Sequence, residues 1–193
     1  MFEDNYLVQR TLEGDKRAFE ALIDKYKNMV FTISFRMLGN HADAEDASQE
    51  VFLRLYKSLP KYNGNHKFSN WLYQITMNIC RDELRKRKRA KSDISIDSPI
   101  REGEDREVDF FLTDDLNIPE KVVEERDLRN RLEISIQKLK DEYKEPLVLR
   151  YTKGLSYEDI SSILKLPVGT IKIRIHRARR MIRDMLKEYF ETY

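Results

Sequence analysis

The stretch Leu155-Ser156-Tyr157-Glu158-Asp159-Ile160-Ser161-Ser162-Ile163-Leu164-Lys165-Leu166-Pro167-Val168-Gly169-Thr170-Ile171-Lys172 decides the fold. Ser156 and Asp159 stand three apart, as in a capping box, where a hydroxyl and a carboxylate satisfy the open donors of a helix start. A short helix follows with Ile160, Ile163 and Leu164 inward, then a break at Lys165-Leu166-Pro167, then a second helix opening at Val168. A cap, a short helix, a tight turn and a longer helix form a helix-turn-helix.

On a wheel of 100° per residue, Val168, Ile171, Ile175, Ala178, Ile182 and Met185 share one stripe of that second helix. The opposite side carries Lys172, Ile173, His176, Arg177 and Arg180, with Arg179 and Arg183 at its borders. A helix so placed lies in the major groove of DNA, and its polar and cationic side chains contact base edges and phosphates. Ile173 is the odd member, a β-branched apolar side chain on an exposed face. A thymine methyl group would cover it, since apolar contact is one way that base is read.

Outward from this motif the chain reads as all-α. Its 193 residues include only 6 Gly and 5 Pro, and no segment alternates with period two. Asp15 is placed to cap a helix carrying Phe19, Leu22, Ile23, Tyr26, Val30, Ile33 and Leu38, which Gly39 ends. A second helix covers 42–58 and stops at Pro60. A third runs from Ser69, as N-cap in a staple of Phe68 on Tyr73, towards Arg89, with Trp71, Leu72, Ile75, Ile79 and Leu84 on one face. Later helices are expected from Pro119 to about 140, over 142–152 and 156–164, and from about 168 to 190.

Charge divides the chain where periodicity does. The net charge is only +2, but residues 61–92 carry 9 basic and 2 acidic groups, and 128–193 carry 15 and 9. Between them, 93–127 carry 4 basic and 13 acidic groups. A Debye length near 8 Å at physiological salt lets each zone act on its own partner. The expected organisation is an amino-terminal helical domain (1–91), an acidic flexible linker (92–118) with an apolar patch at Phe110-Phe111-Leu112, and a carboxy-terminal helix-turn-helix domain (119–193).

Composition excludes several classes. One cysteine, Cys80, cannot form an internal disulfide, and three scattered histidines make no zinc cluster. No apolar run approaches the ~18 residues of a membrane span, and Met1-Phe2-Glu3-Asp4 does not open a signal peptide. The chain reads as a cytoplasmic protein with no membrane insertion and no cofactor. In helix 42–58, Asp43, Asp46 and Glu50 form a carboxylate row opposite Ala44, Ala47, Val51 and Leu55. One convex face cannot enclose a metal ion, whose ligands converge from several directions, so a metal-dependent nuclease is disfavoured and a docking ridge for a basic partner is the functional reading. The loop Tyr62 to Trp71 mixes aromatics, Asn and Lys beside a helix bearing Arg81, Arg85, Lys86, Arg87, Lys88 and Arg89. That combination suits single-stranded nucleic acid: stacking faces, amides and phosphate neutralisation. Trp71 and Cys80 fit the core.

Five strings, in order, resemble the bacterial RNA polymerase sigma factors of the sigma-70 family, in the small two-domain extracytoplasmic function (ECF) group. They are Arg36-Met37-Leu38-Gly39-Asn40; Asp43-Ala44-Glu45-Asp46-Ala47-Ser48-Gln49-Glu50-Val51-Phe52; Phe68-Ser69-Asn70-Trp71-Leu72-Tyr73 with Asn78; Leu155-Ser156-Tyr157-Glu158-Asp159-Ile160; and Pro167-Val168-Gly169-Thr170-Ile171-Lys172. The resemblance implies a non-enzymatic alternative sigma factor that binds core RNA polymerase and promoter DNA. It implies docking of Asp46, Gln49 and Glu50 on the β′ clamp helices. It implies −10 recognition and opening through Lys67, Phe68, Asn70, Asn78, Arg81 and Arg85, with a flipped base held by the loop before Ser69. Thr170, Lys172, Ile173, His176, Arg177 and Arg180 would read the −35 element beside the β flap. Ile173 stands where the family often carries a small polar residue. A cognate anti-sigma protein is a further implied partner. The rival reading is a free-standing helix-turn-helix regulator, which would need two half-sites and a dimer surface; the sequence offers no heptad seam for one.

Overall fold

The computed structural model describes residues 2–65, 67–94 and 120–191, all helices and short connections. The helices are α1 (Phe2–Leu12), α2 (Lys16–Leu38), α3 (His41–Ser58), α4 (Phe68–Ile94), α5 (Glu120–Gln137), α6 (Asp141–Lys153), α7 (Tyr157–Leu164) and α8 (Val168–Glu191), with a 3-10 turn at Leu59–Lys61. No strand occurs among the described residues. The linker between Ile94 and Glu120, with its Phe110-Phe111-Leu112 patch and Pro119, lies outside them.

Local chemistry explains the boundaries. The Asp15 carboxylate accepts from the amides of Arg17 and Ala18, and Gly39 ends α2 in the left-handed region at φ 82°, its N–H donating to the Phe35 carbonyl at 2.8 Å. A side chain at that φ would be strained. Asn40 then caps α3 through the Asp43 amide at 2.8 Å. At α7 the expected box forms: Ser156 Oγ accepts from the Asp159 amide at 3.0 Å and donates to its carboxylate at 2.7 Å. The turn to α8 passes through Lys165 at φ 56°, and Ser161 Oγ donates to the Leu166 carbonyl.

α2, α3 and α4 form the amino-terminal bundle around Leu22, Val30, Ile33, Met37, Val51, Leu55, Leu72, Met77 and Cys80, with α1 laid on α2. α5 to α8 enclose Ile136, Leu147, Leu149, Ile160, Ile163, Ile171, Ile175 and Ala178. The two bundles touch: α2 packs on α5 and α6, and α4 packs on α7, so one continuous apolar cluster runs through both.

Three local expectations change. α1 was not foreseen; among its described side chains Val8 is the one apolar group that is buried. α4 begins at Phe68, with the Lys67 carbonyl accepting the first bonds from Asn70 and Trp71, so Ser69 lies inside the helix rather than capping it. The buried face of α4 is rotated to Leu72, Tyr73, Thr76, Met77 and Cys80, leaving Trp71, Ile75, Ile79 and Leu84 half-buried on its flank. Cys80 is in the core as expected, and Thr76 breaks the apolar pattern that a wheel looks for. Thr76 is accommodated because its hydroxyl donates to the Leu72 carbonyl at 2.9 Å.

Candidate nucleic-acid interface

α8 carries the clearest surface. Ile171, Ile175, Ala178 and Ile182 face inward, which by helical geometry turns Lys172, Ile173, His176, Arg177 and Arg180 outward. All five are exposed and Thr170 is half-buried. Ile173 is 56 % exposed. Beside it Tyr157 of α7 stands with its ring 5.6 Å from Lys172 Nζ and 4.8 Å from the Arg150 guanidinium. A shallow cleft of about 410 Å³ between Tyr157 and α8 is lined by Lys172, Ile173, His176 and Arg177. The sequence had not placed Tyr157 at this face, although its position just after the capping serine is a signal.

On α3, Asp46, Gln49 and Glu50 are exposed, and Glu50 pairs with Arg54 at 3.2 Å. Asp43 leaves the row: its carboxylate turns to Arg87 of α4 and to its own cap Asn40. Arg87 also donates to the Leu38 carbonyl at 3.1 Å, so Asp43 and Arg87 together clamp the α2–α3 corner to α4. The remaining ridge borders a groove of about 680 Å³ lined by Phe19, Ile23, Gln49, Phe52, Leu53 and Tyr56. Leu53 and Tyr56 are more than half exposed there. The wheel of α3 held this signal, since both lie off its Val51–Leu55 stripe.

The six residues expected at the single-strand surface divide. Phe68 is buried beneath the aromatic group of Tyr26, Tyr62 and Trp71, with Tyr62 stacked on Trp71 at 5.1 Å between centroids. Lys67, Asn78 and Arg85 are exposed, and Arg85 meets Asp82 at 3.3 Å. Asn70 and Arg81 are half-buried against the carboxy-terminal bundle. Asn70 Nδ2 donates to Asp159 Oδ1 at 2.7 Å, a bond that helps hold the Asp159 carboxyl below its ordinary range. Arg81 forks onto Glu145 at 2.6 and 2.7 Å. The acids facing α4 from the other bundle were not anticipated, because nothing in sequence links positions 64 or 89 apart.

Among the described residues there is no cluster of His, Cys, Asp or Glu able to hold a metal ion, and no helix long and apolar enough to cross a membrane.

Comparison with known proteins places these surfaces in context. The family model of Sigma-70 region 2 matches residues 22–90, and that of Sigma-70 region 4 matches 129–182. The chain is 37 % identical over 181 residues to the ECF RNA polymerase sigma factor SigW of Bacillus subtilis, covering 94 % of this chain and 95 % of that protein. It is 34 % identical over 189 residues to the RNA polymerase sigma-H factor of Pseudomonas aeruginosa, covering 96 % and 94 %. Two solved structures share the fold at 22 % identity. CnrH in complex with the cytosolic domain of CnrY has a TM-score of 0.66, covering 96 % of this chain and 98 % of that one. The sigma factor RpoE of Bartonella quintana, in complex with the anti-sigma factor NepR, has a TM-score of 0.65, covering 88 % and 96 %. The α3 ridge and the helix-turn-helix thus lie within matched regions 2 and 4 of a chain aligned with such factors over nearly its whole length: it belongs to the ECF group of sigma-70 RNA polymerase sigma factors, alternative sigma factors that direct promoter-specific transcription.

Proposed function

We propose that the α3 ridge of Asp46, Gln49 and Glu50 docks on the clamp helices of the core polymerase β′ subunit, and that the two bundles then read separate promoter elements. Region 2 recognises and opens the −10 element through Lys67, Asn70, Asn78, Arg81 and Arg85, with Phe68 supporting them from the core. Region 4 reads the −35 element through Thr170, Lys172, Ile173, His176, Arg177 and Arg180, next to the β flap. The observation that carries this reading is the outward face of α8, where an exposed isoleucine sits among four cationic or titratable side chains beside a capped helix-turn-helix.

In this reading the chain works by binding and not by covalent chemistry. Phosphate contacts set register, and base-edge contacts set identity. Unstacking a base costs a few kcal/mol, which a pocket for the extruded base and new phosphate contacts offset. Phe68 lies in the core, so its role is to support the loop that Lys67 and Asn70 flank. The chain acts in the cytoplasm, needs no cofactor, and has an anti-sigma protein as a further partner, as RpoE has in its complex.

Run-off transcription with core polymerase on a genomic library tests the reading. Start sites should appear only when the chain is added, and Asp46→Lys with Glu50→Lys should abolish them while leaving the helical circular dichroism unchanged. Recruitment of polymerase by the reversed ridge would refute the docking.

A further inference from the structure

α1 precedes region 2, whose match starts at residue 22, yet it is tied to the loop that leads into α4. It lies on α2 and touches the 3-10 turn Leu59–Lys61, whose last carbonyl-bonded amide belongs to Tyr62. The buried Asp4 accepts from the Tyr26 hydroxyl through Oδ2 at 3.0 Å, and Lys25 Nζ holds Asp4 Oδ1 at 2.8 Å and Glu3 Oε2 at 2.6 Å. Burial, and then the Asp4 charge, push the Tyr26 phenol above its ordinary 10.0, so it stays protonated and keeps donating. One residue on, the exposed Asn5 accepts from the Tyr62 hydroxyl at 3.2 Å. Both tyrosine rings bear on Phe68, Tyr26 at 5.5 Å and Tyr62 edge-on at 5.6 Å between centroids, and Tyr62 also stacks on Trp71. Tyr62 and Phe68 are the two ends of the intervening loop, so their contact closes its base. An exposed hydrogen bond adds little to global stability; the place of the Asn5 bond, at the loop's end, gives it a local role.

We infer that α1 is a strut of the strand-opening site: Asp4 and Asn5, through the Tyr26 and Tyr62 hydroxyls, hold the aromatic base of the loop between Tyr62 and Phe68 in the shape that receives an unstacked −10 base. The inference rests on the assignment of that loop to −10 DNA. Asp4 and Asn5 are positioning residues, acting through the two tyrosines. A loop already held in its bound shape loses less freedom when the base arrives, so more of the contact energy remains to offset unstacking. On duplex DNA the capture of the base must outweigh unpairing as well, so a weaker capture lowers the open fraction directly. On a strand already unpaired that cost is absent, and the same weakening has little effect.

The test uses the full chain with core polymerase and a promoter mapped by run-off, supplied either as duplex or with its −10 element made non-complementary and so already open. Asn5→Ala and Tyr62→Phe should each lower transcript from the duplex by about fivefold, the worth of one net hydrogen bond, and change the pre-opened template by less than about twofold. The double variant should fall no further than Tyr62→Phe alone, because the two changes remove one bond. Asn5→Asp, which keeps the acceptor, should match the parent on both templates. Equal transcript from the duplex with the parent and with Asn5→Ala would overturn the inference. So would an equal loss on both templates, which marks a general defect in folding or docking and not in opening. A parent silent on both templates would instead bring down the −10 reading itself, whereas a parent active on both beside an indifferent Asn5→Ala rejects the strut alone.

Discussion

Gly39 and Gln137 meet at the junction of the two bundles: a Cβ on Gly39 would stand 2.9 Å from Gln137 Oε1. Gln137 closes α5, and its amide donates at the C-terminal end of α2 to the carbonyl of Arg36 at 2.8 Å and, at 3.4 Å, to that of Phe35, which the Gly39 N–H also meets. A side chain from region 4 thus caps a region 2 helix, and Gly39 leaves the space for it. Neighbouring Arg36 reaches Glu133 at 3.0 Å and Thr152 at 3.0 Å.

Gly39→Ala should therefore lower stability by about 1–2 kcal/mol from the left-handed backbone alone, with a further loss from displacing Gln137. Urea unfolding of Gly39→Ala, Gln137→Ser and the double variant checks this. The double variant should lose less than the sum of the singles, because the methyl group no longer meets an amide.

Ile173→Ser should flatten discrimination at one base pair of the −35 element and leave the rest of the profile intact. Losing apolar contact with a thymine methyl is worth about 1 kcal/mol, or roughly fivefold in relative affinity. Holoenzyme binding to every single-base variant of the element measures it; an unchanged profile rules out the contact.

Lys144 is buried, and its ammonium donates to Gln137 Oε1 at 3.1 Å. Burial pulls its pKa below the ordinary 10.5. Between the folded value and 10.5 the unfolded chain holds the extra proton, so this residue makes stability rise as pH climbs through that window and contributes no slope well below it. Lys144→Met should remove that slope and raise stability at neutral pH by about 1 kcal/mol. Thermal melts of both chains from neutral to alkaline pH provide the comparison.

Cys80 is wholly buried in the core, and burial pushes its thiol up to about 11 from an ordinary 9.0. The thiolate is the reacting species, so at pH 8 alkylation of the native chain should be at least about a hundredfold slower than in denaturant. Mass spectrometry after timed iodoacetamide exposure gives both rates. Equal rates would mean that the α2–α4 core opens freely.

The helix-turn-helix was legible because its signals are local. A capping serine, a three-residue break and a wheel with one apolar side are set by neighbours within one or two turns. The same holds for α2 between Asp15 and Gly39, and for the Asp46–Glu50 ridge. α4 was read less well: its wheel favoured Trp71 and Ile75, whereas Thr76 turned inward, beside the expected Cys80, because α2 lies against that side and because a threonine hydroxyl can bond its own helix.

The amino-acid sequence by itself determined α2 and the helix-turn-helix with their Asp15 and Ser156 caps, the family and the outward face of α8, because each depends on spacing along one segment. Tertiary structure alone decided that Asp43 turns away to Arg87, that Tyr157 borders the reading helix, and that Glu145 takes hold of Arg81. Those partners lie 44, 15 or more, and 64 positions apart, and pairing at such distances is chosen by which faces two helices bury together, a quantity no single helix contains.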